Sequence, residues 1–135
     1  SINFSVQVSD GALVAVQEYS FAITNKNEPP VITTTSFSIS ENNVTVGAVS
    51  ASDVDSGTTL FYGLAERAGS DEQLFDINST TGALVFKSRP DYETPKDNGG
   101  DNTYNITVTA SDGSIETFKE LLITVQNINE APSFL

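Results

Sequence analysis

The sequence has 135 residues and contains no Cys, no His, no Trp and no Met. Without Cys there are no disulfides, thiolate metal sites or cysteine nucleophiles. Without His there is no Ser-His-Asp chemistry, no imidazole zinc site and no ordinary base for neutral pH. Positive charge is also scarce: 6 Lys and Arg stand against 18 Asp and Glu, for a net charge of −12. Nucleic acid is therefore excluded as a partner, because phosphates need a basic surface. The surplus of acid suits a chain in salty surroundings, or one that neutralises itself with cations. No apolar run approaches the roughly 20 residues of a membrane span, so direct membrane insertion by this segment is not expected. No signal peptide is visible: Ser1 opens directly into strand-like sequence, and the chain is expected to be a piece of something longer.

What the chain does contain, it says twice. Residues 1–30 align without a gap onto 103–132, Asn27 falling on Asn129, and ten of the thirty positions are identical. The identities include the turn Ser9-Asp10-Gly11 on Ser111-Asp112-Gly113, and Asn25, Asn27, Glu28 and Pro30 on Asn127, Asn129, Glu130 and Pro132. Such a match signals tandem repetition with a period of about 102 residues. One whole module, 31–132, is then expected, preceded in 1–30 by the last two strands and the linker of another, with 133–135 opening a third.

The module reads as strands. Tyr104, Ile106, Val108 and Ala110 alternate with Asn105, Thr107 and Thr109, the period of a half-buried strand. The alternation resumes at Leu121, Ile123 and Val125, while Phe118 has the other parity and predicts a bulge near Lys119. Further strands are expected at 36–40, 44–51, 59–64, 74–77 and 83–87, with a turn at 80–82 and at most a helical turn in 65–73. Seven short strands separated by turn signals predict an all-β fold, a seven-stranded β-sandwich. Residues 1–28 supply only two strands, and a lone hairpin is marginal in water.

The acids gather at strand ends: Glu41, the pair Asp53 and Asp55, the pair Asp91 and Glu93, then Asp112 and Glu130. Solvated turns are one reading, since Asp and Asn are common there. The other is a cation. Asp-x-Asp and Asp-x-Glu set two carboxylates on one side of an extended chain, and like charges about 4 Å apart cost a few kcal/mol at an effective dielectric near 20. Hard oxygen ligands without Cys or His point to Ca2+. The stretch "DVDSG" at 53–57 is not an EF-hand, because Gly57 takes the fifth position and Leu64 the twelfth, where a bidentate Glu belongs. "NGGDN" at 98–102 occurs once, whereas glycine-aspartate calcium repeats work as arrays.

Taken together and in order, "SEN" (40–42), "ASDVDSG" (51–57), "FDINSTTGALVF" (75–86), "PDYE" (90–93), "YNITVTASDG" (104–113) and "QNINEAPSF" (126–134) resemble the cadherin repeat across all of 31–132, and 1–30 resembles the end of a preceding one. The compact linker "NINEAP" and the stretch "PKDNGGDNTYNITV" are similar to the bacterial branch of that family. Compared with the animal linker Asp-x-Asn-Asp-Asn-x-Pro it is one residue shorter, with Asn for the first Asp and Glu for the second.

The resemblance implies a Greek-key, immunoglobulin-like sandwich with its termini at opposite ends, stacked end to end with Ca2+ at the joints. Glu41, Asp91, Glu93 and Glu130 would then sit at the lower end of the module. Asp53, Asp55 and Asp112 would sit at the upper end, facing Asn27 and Glu28 of the first linker, and Asn129 would repeat the role of Asn27. The implied partners are neighbouring repeats of the same chain, other cell-surface proteins or polysaccharide, and the implied location is extracellular or on a cell surface. The expected function is a structural and adhesive module of a long rod, with calcium setting its stiffness. The alternative is a carbohydrate-binding module of a polysaccharide-degrading system. Sugar sites usually expose an aromatic platform, however, and Tyr19, Tyr62, Tyr92 and Tyr104 all fit strand or motif positions. An enzyme using two carboxylates is disfavoured, since no cleft is implied between acids at opposite ends of a narrow sandwich.

Overall fold

The computed structural model describes residues 1–132; the segment 133–135, expected to open a further repeat, lies outside the described residues. Twice over, a strand, a tight turn and a second strand form a long hairpin. Strands β1 (Ile2–Ser9) and β2 (Val14–Phe21) pair from Ile2↔Phe21 to Ser9↔Val14. Strands β10 (Thr103–Ser111) and β11 (Glu116–Gln126) pair in the same register displaced by 102 positions, from Tyr104↔Ile123 to Ser111↔Glu116. The turns match as well. Asp10 Oδ1 accepts the N–H groups of Ala12 and Leu13, and Asp112 Oδ1 accepts those of Ser114 and Ile115. These Asx turns explain the repeated Ser-Asp-Gly: the carboxylate satisfies two N–H groups that the ladder leaves over.

The rest of the module wraps around the second hairpin. Its strands are β3 (Val31–Ile32), β4 (Ser36–Ser40), β5 (Thr45–Ala48), β6 (Ala51–Ser52), β7 (Phe61–Ala65), β8 (Phe75–Ile77) and β9 (Ala83–Phe86), with one 3-10 turn at Glu72–Leu74. One sheet runs β4-β11-β10-β7, the other β5-β9-β8, and β3 pairs with β6. The β4–β11 pairing is parallel, and the other pairings are antiparallel. The seven predicted runs are all present, but 44–51 is broken. A register shift between Thr45 and Gly47 lies within β5, the strand ends at Ala48, and the chain resumes pairing at Ala51. The two-residue strands β3 and β6 are too short to announce themselves by alternation.

The sheets close on Ile39, Val46, Phe75, Leu84, Phe86, Tyr104, Ile106, Val108, Leu121, Ile123 and Val125, all buried. Gly82 is required where it stands: its φ is +73°, and a Cβ there would lie 2.3 Å from the Val49 carbonyl oxygen. The bulge predicted near Lys119 is absent, since β10 and β11 pair without a break from Ser111↔Glu116 to Thr103↔Thr124. The alternation stays regular because Phe118 points outward. The guanidinium of Arg67 covers its ring at 5.4 Å from the centroid, which lets an aromatic side chain sit on the solvent face.

A second surprise is buried acid. Asp71 accepts N–H bonds from Asn98 (2.7 Å) and Asn105 (2.8 Å), pinning the 96–102 loop to β10. Asp97 accepts those of Asp101 and Asn102, both 3.0 Å. Burial pushes the Asp97 carboxyl up, but the N–H groups of Asp101, Asn102 and Gly100 outweigh it and hold the group below its ordinary value. The stabilisation from Asp97 is therefore present above the unfolded value of 3.8 and is lost as the pH falls through the lower folded value. Two results are expected. The Asp97 carboxyl carbon should titrate by NMR with a midpoint below 3.8. The stability gap between the parent and Asp97→Asn, clear at neutral pH, should close in strong acid. A midpoint at or above the ordinary value would contradict this account of the loop.

Candidate functional site

Two poles of the sandwich carry the acids named from the sequence. They lie at opposite ends of β11, which at about 3.3 Å per residue separates them by roughly 35 Å.

At one pole the chain enters from the first linker. Asn25 Nδ2 donates to Asp55 Oδ1, Asn27 Nδ2 to Asp112 Oδ2 (2.7 Å), and the Glu28 N–H to Asp55 Oδ2 (3.0 Å). Asp53 Oδ1 accepts the Asp55 N–H at 2.8 Å, which holds the Asp-x-Asp stretch in a turn. The other Asp53 oxygen, Oδ2, is buried and has no hydrogen-bond partner among the described residues. Asp112 is held below the usual carboxylate range by the Ile115 N–H, then by the Asn27 amide and the Ser114 N–H.

At the other pole the chain leaves β11. Glu41, at the end of β4, is only 2% exposed. Its two oxygens accept the N–H groups of Tyr92 (2.8 Å) and Ile128 (2.9 Å). It thereby ties the 90–93 turn and the second linker to β4. Asp91 Oδ1 accepts the Glu93 and Thr94 N–H groups at 2.9 and 3.1 Å. One carboxylate oxygen from each of Glu41, Asp91 and Glu93 lies within 4.8 Å of the others. Asn127 Nδ2 donates to Glu93 Oε1 (2.6 Å), and Asn42, in a left-handed conformation with φ 66°, donates to Glu130. Asn129 is exposed and joins none of these bonds, and the Glu28 carboxylate is likewise outside them.

The structure thus makes Glu41, Asp91 and Glu93 converge at one end, while at the other Asp55 is bonded by Asn25, Glu28 and its neighbour Asp53, and Asp112 by Asn27. It adds Asn25, Asn42 and Asn127, which the sequence reading left out of the site. Asn25 and Asn127 are identical at the repeat offset, and that identity was the available signal. No Lys or Arg pairs with any of these carboxylates among the described residues, where the single ion pair is Lys87 with Asp76. Asn amide groups stand between the charges instead. The ligand atoms that the poles offer are carboxylate oxygens, which suit a hard divalent cation. The partnerless Asp53 oxygen and the three converging oxygens at Glu41 fit such an ion.

The family model for the cadherin domain matches residues 35–126. Among curated proteins, the Fat-like cadherin-related tumor suppressor homolog of Drosophila melanogaster is 31% identical over 78 residues, covering 58% of this chain and 2% of that protein. Protein dachsous, also of Drosophila melanogaster, is 29% identical over 133 residues, covering 96% of this chain and 4% of its own length. The chain therefore spans a small fraction of the relatives it matches. Human protocadherin-24 EC1-2 superimposes with a TM-score of 0.60 at 25% identity, covering 75% of this chain and 44% of that one. Extracellular cadherin domains 1-4 of protocadherin gamma B7 reach 0.68 at 20% identity, covering 94% and 32%, a likeness of fold.

Proposed function

Since this chain belongs to the cadherin-domain family, we propose that it is a calcium-clamped joint and repeat from a long extracellular rod that supports adhesion. In this reading 1–30 end one repeat, 31–132 form a complete one, and 133–135 begin the next. The hairpin supports the division. Its apolar face, Ile2, Phe4, Val6 and Val8 with Tyr19 and Phe21, is exposed. The matching positions Tyr104, Ile106, Val108, Ala110, Leu121 and Ile123 are all buried. In this reading the exposed face is the one that the rest of the hairpin's own repeat would cover. The short linker and its Glu130 support a repeat of the bacterial type. Among the described residues no helix is long and apolar enough to cross a membrane.

The observation that carries the proposal is the gathering of carboxylates at two poles with no basic side chain on them. Uncompensated, the charges repel and the joint is loose. A bound Ca2+ supplies the missing positive charge. Asn27, Asp53, Asp55 and Asp112 would hold it at the entry pole, with Asn25 and Glu28 beside them. Glu41, Asp91, Glu93 and Glu130 would hold it at the exit pole, with Asn129 completing the set when the next repeat follows. The role is spacing and clamping, not catalysis.

Thermal and urea unfolding in calcium, magnesium and chelator test the proposal. Extracellular modules bind calcium near ~0.1–1 mM, so about 10 mM should add roughly 1.5–3 kcal/mol. Magnesium should add less, because it demands a tight octahedron and keeps its water. Glu93→Gln should remove more of the calcium effect than Asp55→Asn. The exit pole is built from one module and its own linker, whereas ion binding at the entry pole must also order a linker that follows a bare hairpin. Equal stabilisation by magnesium at the same ionic strength would leave the acids as a solvated surface only.

A further inference from the structure

In a chain with six basic residues, three of them, Lys87, Arg89 and Lys96, line a single cavity of about 310 Å³. Its floor is apolar, made by Leu74, Phe86 and Tyr104. Asp71, Asp91 and Asp97 stand close enough to act on the Tyr104 hydroxyl, yet none of the three forms an ion pair with a cation of the rim among the described residues. Lys87 lies 4.0 Å from Asp76 in an exposed pair, and Arg89 and Lys96 pair with no carboxylate among the described residues. The nearby Asp71 and Asp97 are engaged by the N–H groups of Asn98, Asn105, Asp101 and Asn102. Tyr104, only 1% exposed, is among the residues that line the cavity. Its hydroxyl accepts the Lys96 N–H at 3.3 Å and donates to no protein group among the described residues.

We propose that this cavity binds a carboxylate-bearing sugar of the uronate type, free or as a unit of an acidic polysaccharide. The size sits at the lower end of the range for small-ligand pockets, about 300–1,000 Å³. The cations take the carboxylate through charge-assisted hydrogen bonds. The Tyr104 and Ser88 hydroxyls and the Gln73 amide match the ring hydroxyls, and the apolar floor takes the C–H face of the ring. An acidic peptide fits less well. Peptides dock on open main-chain groups, whereas the Phe86 and Lys87 N–H groups here already bond Val44 and Leu74. The site is separate from the acidic poles, although Pro90 on its wall adjoins Asp91.

The test is titration of the whole chain in calcium with galacturonate, trigalacturonate, neutral galactotriose and triglutamate, followed by calorimetry and by amide NMR. Both uronates should bind and shift the amides of residues 73–74, 86–89, 96 and 104. Equal affinity for monomer and trimer identifies a free sugar acid as the ligand, and a tighter trimer identifies a polysaccharide. Arg89→Gln with Lys96→Gln should weaken binding at least about tenfold, the loss of charged hydrogen bonds. Lys26→Gln with Arg67→Gln, the same change in net charge, should not. The proposal is overturned if galactotriose or triglutamate binds as well as trigalacturonate. It is equally overturned if the shifts fall on Glu41, Asp91 and Glu93, as a calcium bridge would place them, or if the cavity residues do not move at roughly 0.1 M ligand.

Discussion

Glu41→Ala is expected to destabilise the chain by about 3–5 kcal/mol, because it removes two hydrogen bonds to a buried carboxylate and leaves two part-buried N–H donors without an acceptor. The Glu41 carboxylate is the common acceptor for Tyr92 and Ile128, so three segments come apart together: the end of β4, the 90–93 turn and the second linker. Glu41→Gln keeps one acceptor oxygen but turns an NH2 group toward one of the two N–H donors, and should lose about 1–3 kcal/mol. Urea unfolding of the three proteins without calcium measures both steps apart from any metal effect. A Glu41→Ala midpoint equal to the parent's would mean that water replaces the carboxylate freely, and that the pole is not organised around it.

Phe75→Ala is expected to be comparably damaging, by about 3–5 kcal/mol. Phe75 lies in a short edge strand, yet it is 2% exposed. Its ring stands 4.2 Å from Phe86 and, edge-on, 5.9 Å from Tyr104. These three rings join the small sheet to the large one, so truncation opens a void between sheets that β8, with three residues, cannot move to fill. With a slope of roughly 1–2 kcal/mol per molar urea for a domain of this size, the midpoint should fall by about 2 M or more. Phe75→Leu should recover over half of the loss, since most of the volume returns. If the leucine variant is no better than the alanine one, the ring contacts matter beyond volume.

The parts legible in the sequence share a physical cause. Long strands with one buried face must alternate, so β10 and β11 could be read directly, and the gap-free repeat made β1 and β2 readable with them. The Asp-Gly turns were legible because few residues satisfy a tight hairpin. The two-residue β3 and β6 were hidden because no period fits in two residues. Phe118 misled because apolarity alone does not say which face a ring occupies; the cation that covers it comes from Arg67, about fifty positions earlier. Nothing in the sequence marks Asp71, Glu72 and Asp97 for burial, which depends on main-chain N–H groups that only the folded loop presents. At the candidate site the acids were visible as clusters. Of the Asn amides between them Asn27 was expected, but Asn25, Asn42 and Asn127 were not, because Asn is common in turns for unrelated reasons.

The parallel pairing of β4 with β11 has a mechanical consequence. The chain enters above Ser36 and leaves below Gln126, and the five pairs from Ser36↔Leu122 to Ser40↔Gln126 lie side by side between those points. Tension applied along a string of such modules pulls β4 toward one end and β11 toward the other. The hydrogen bonds between them lie across the line of pull, so they are loaded in shear and share the force, whereas a hairpin peeled from its open end gives way one bond at a time. Strands β4 and β11 thus act as a latch, and the carboxylate of Glu41 lies just beyond the last of the five pairs, at the end where β11 is drawn away.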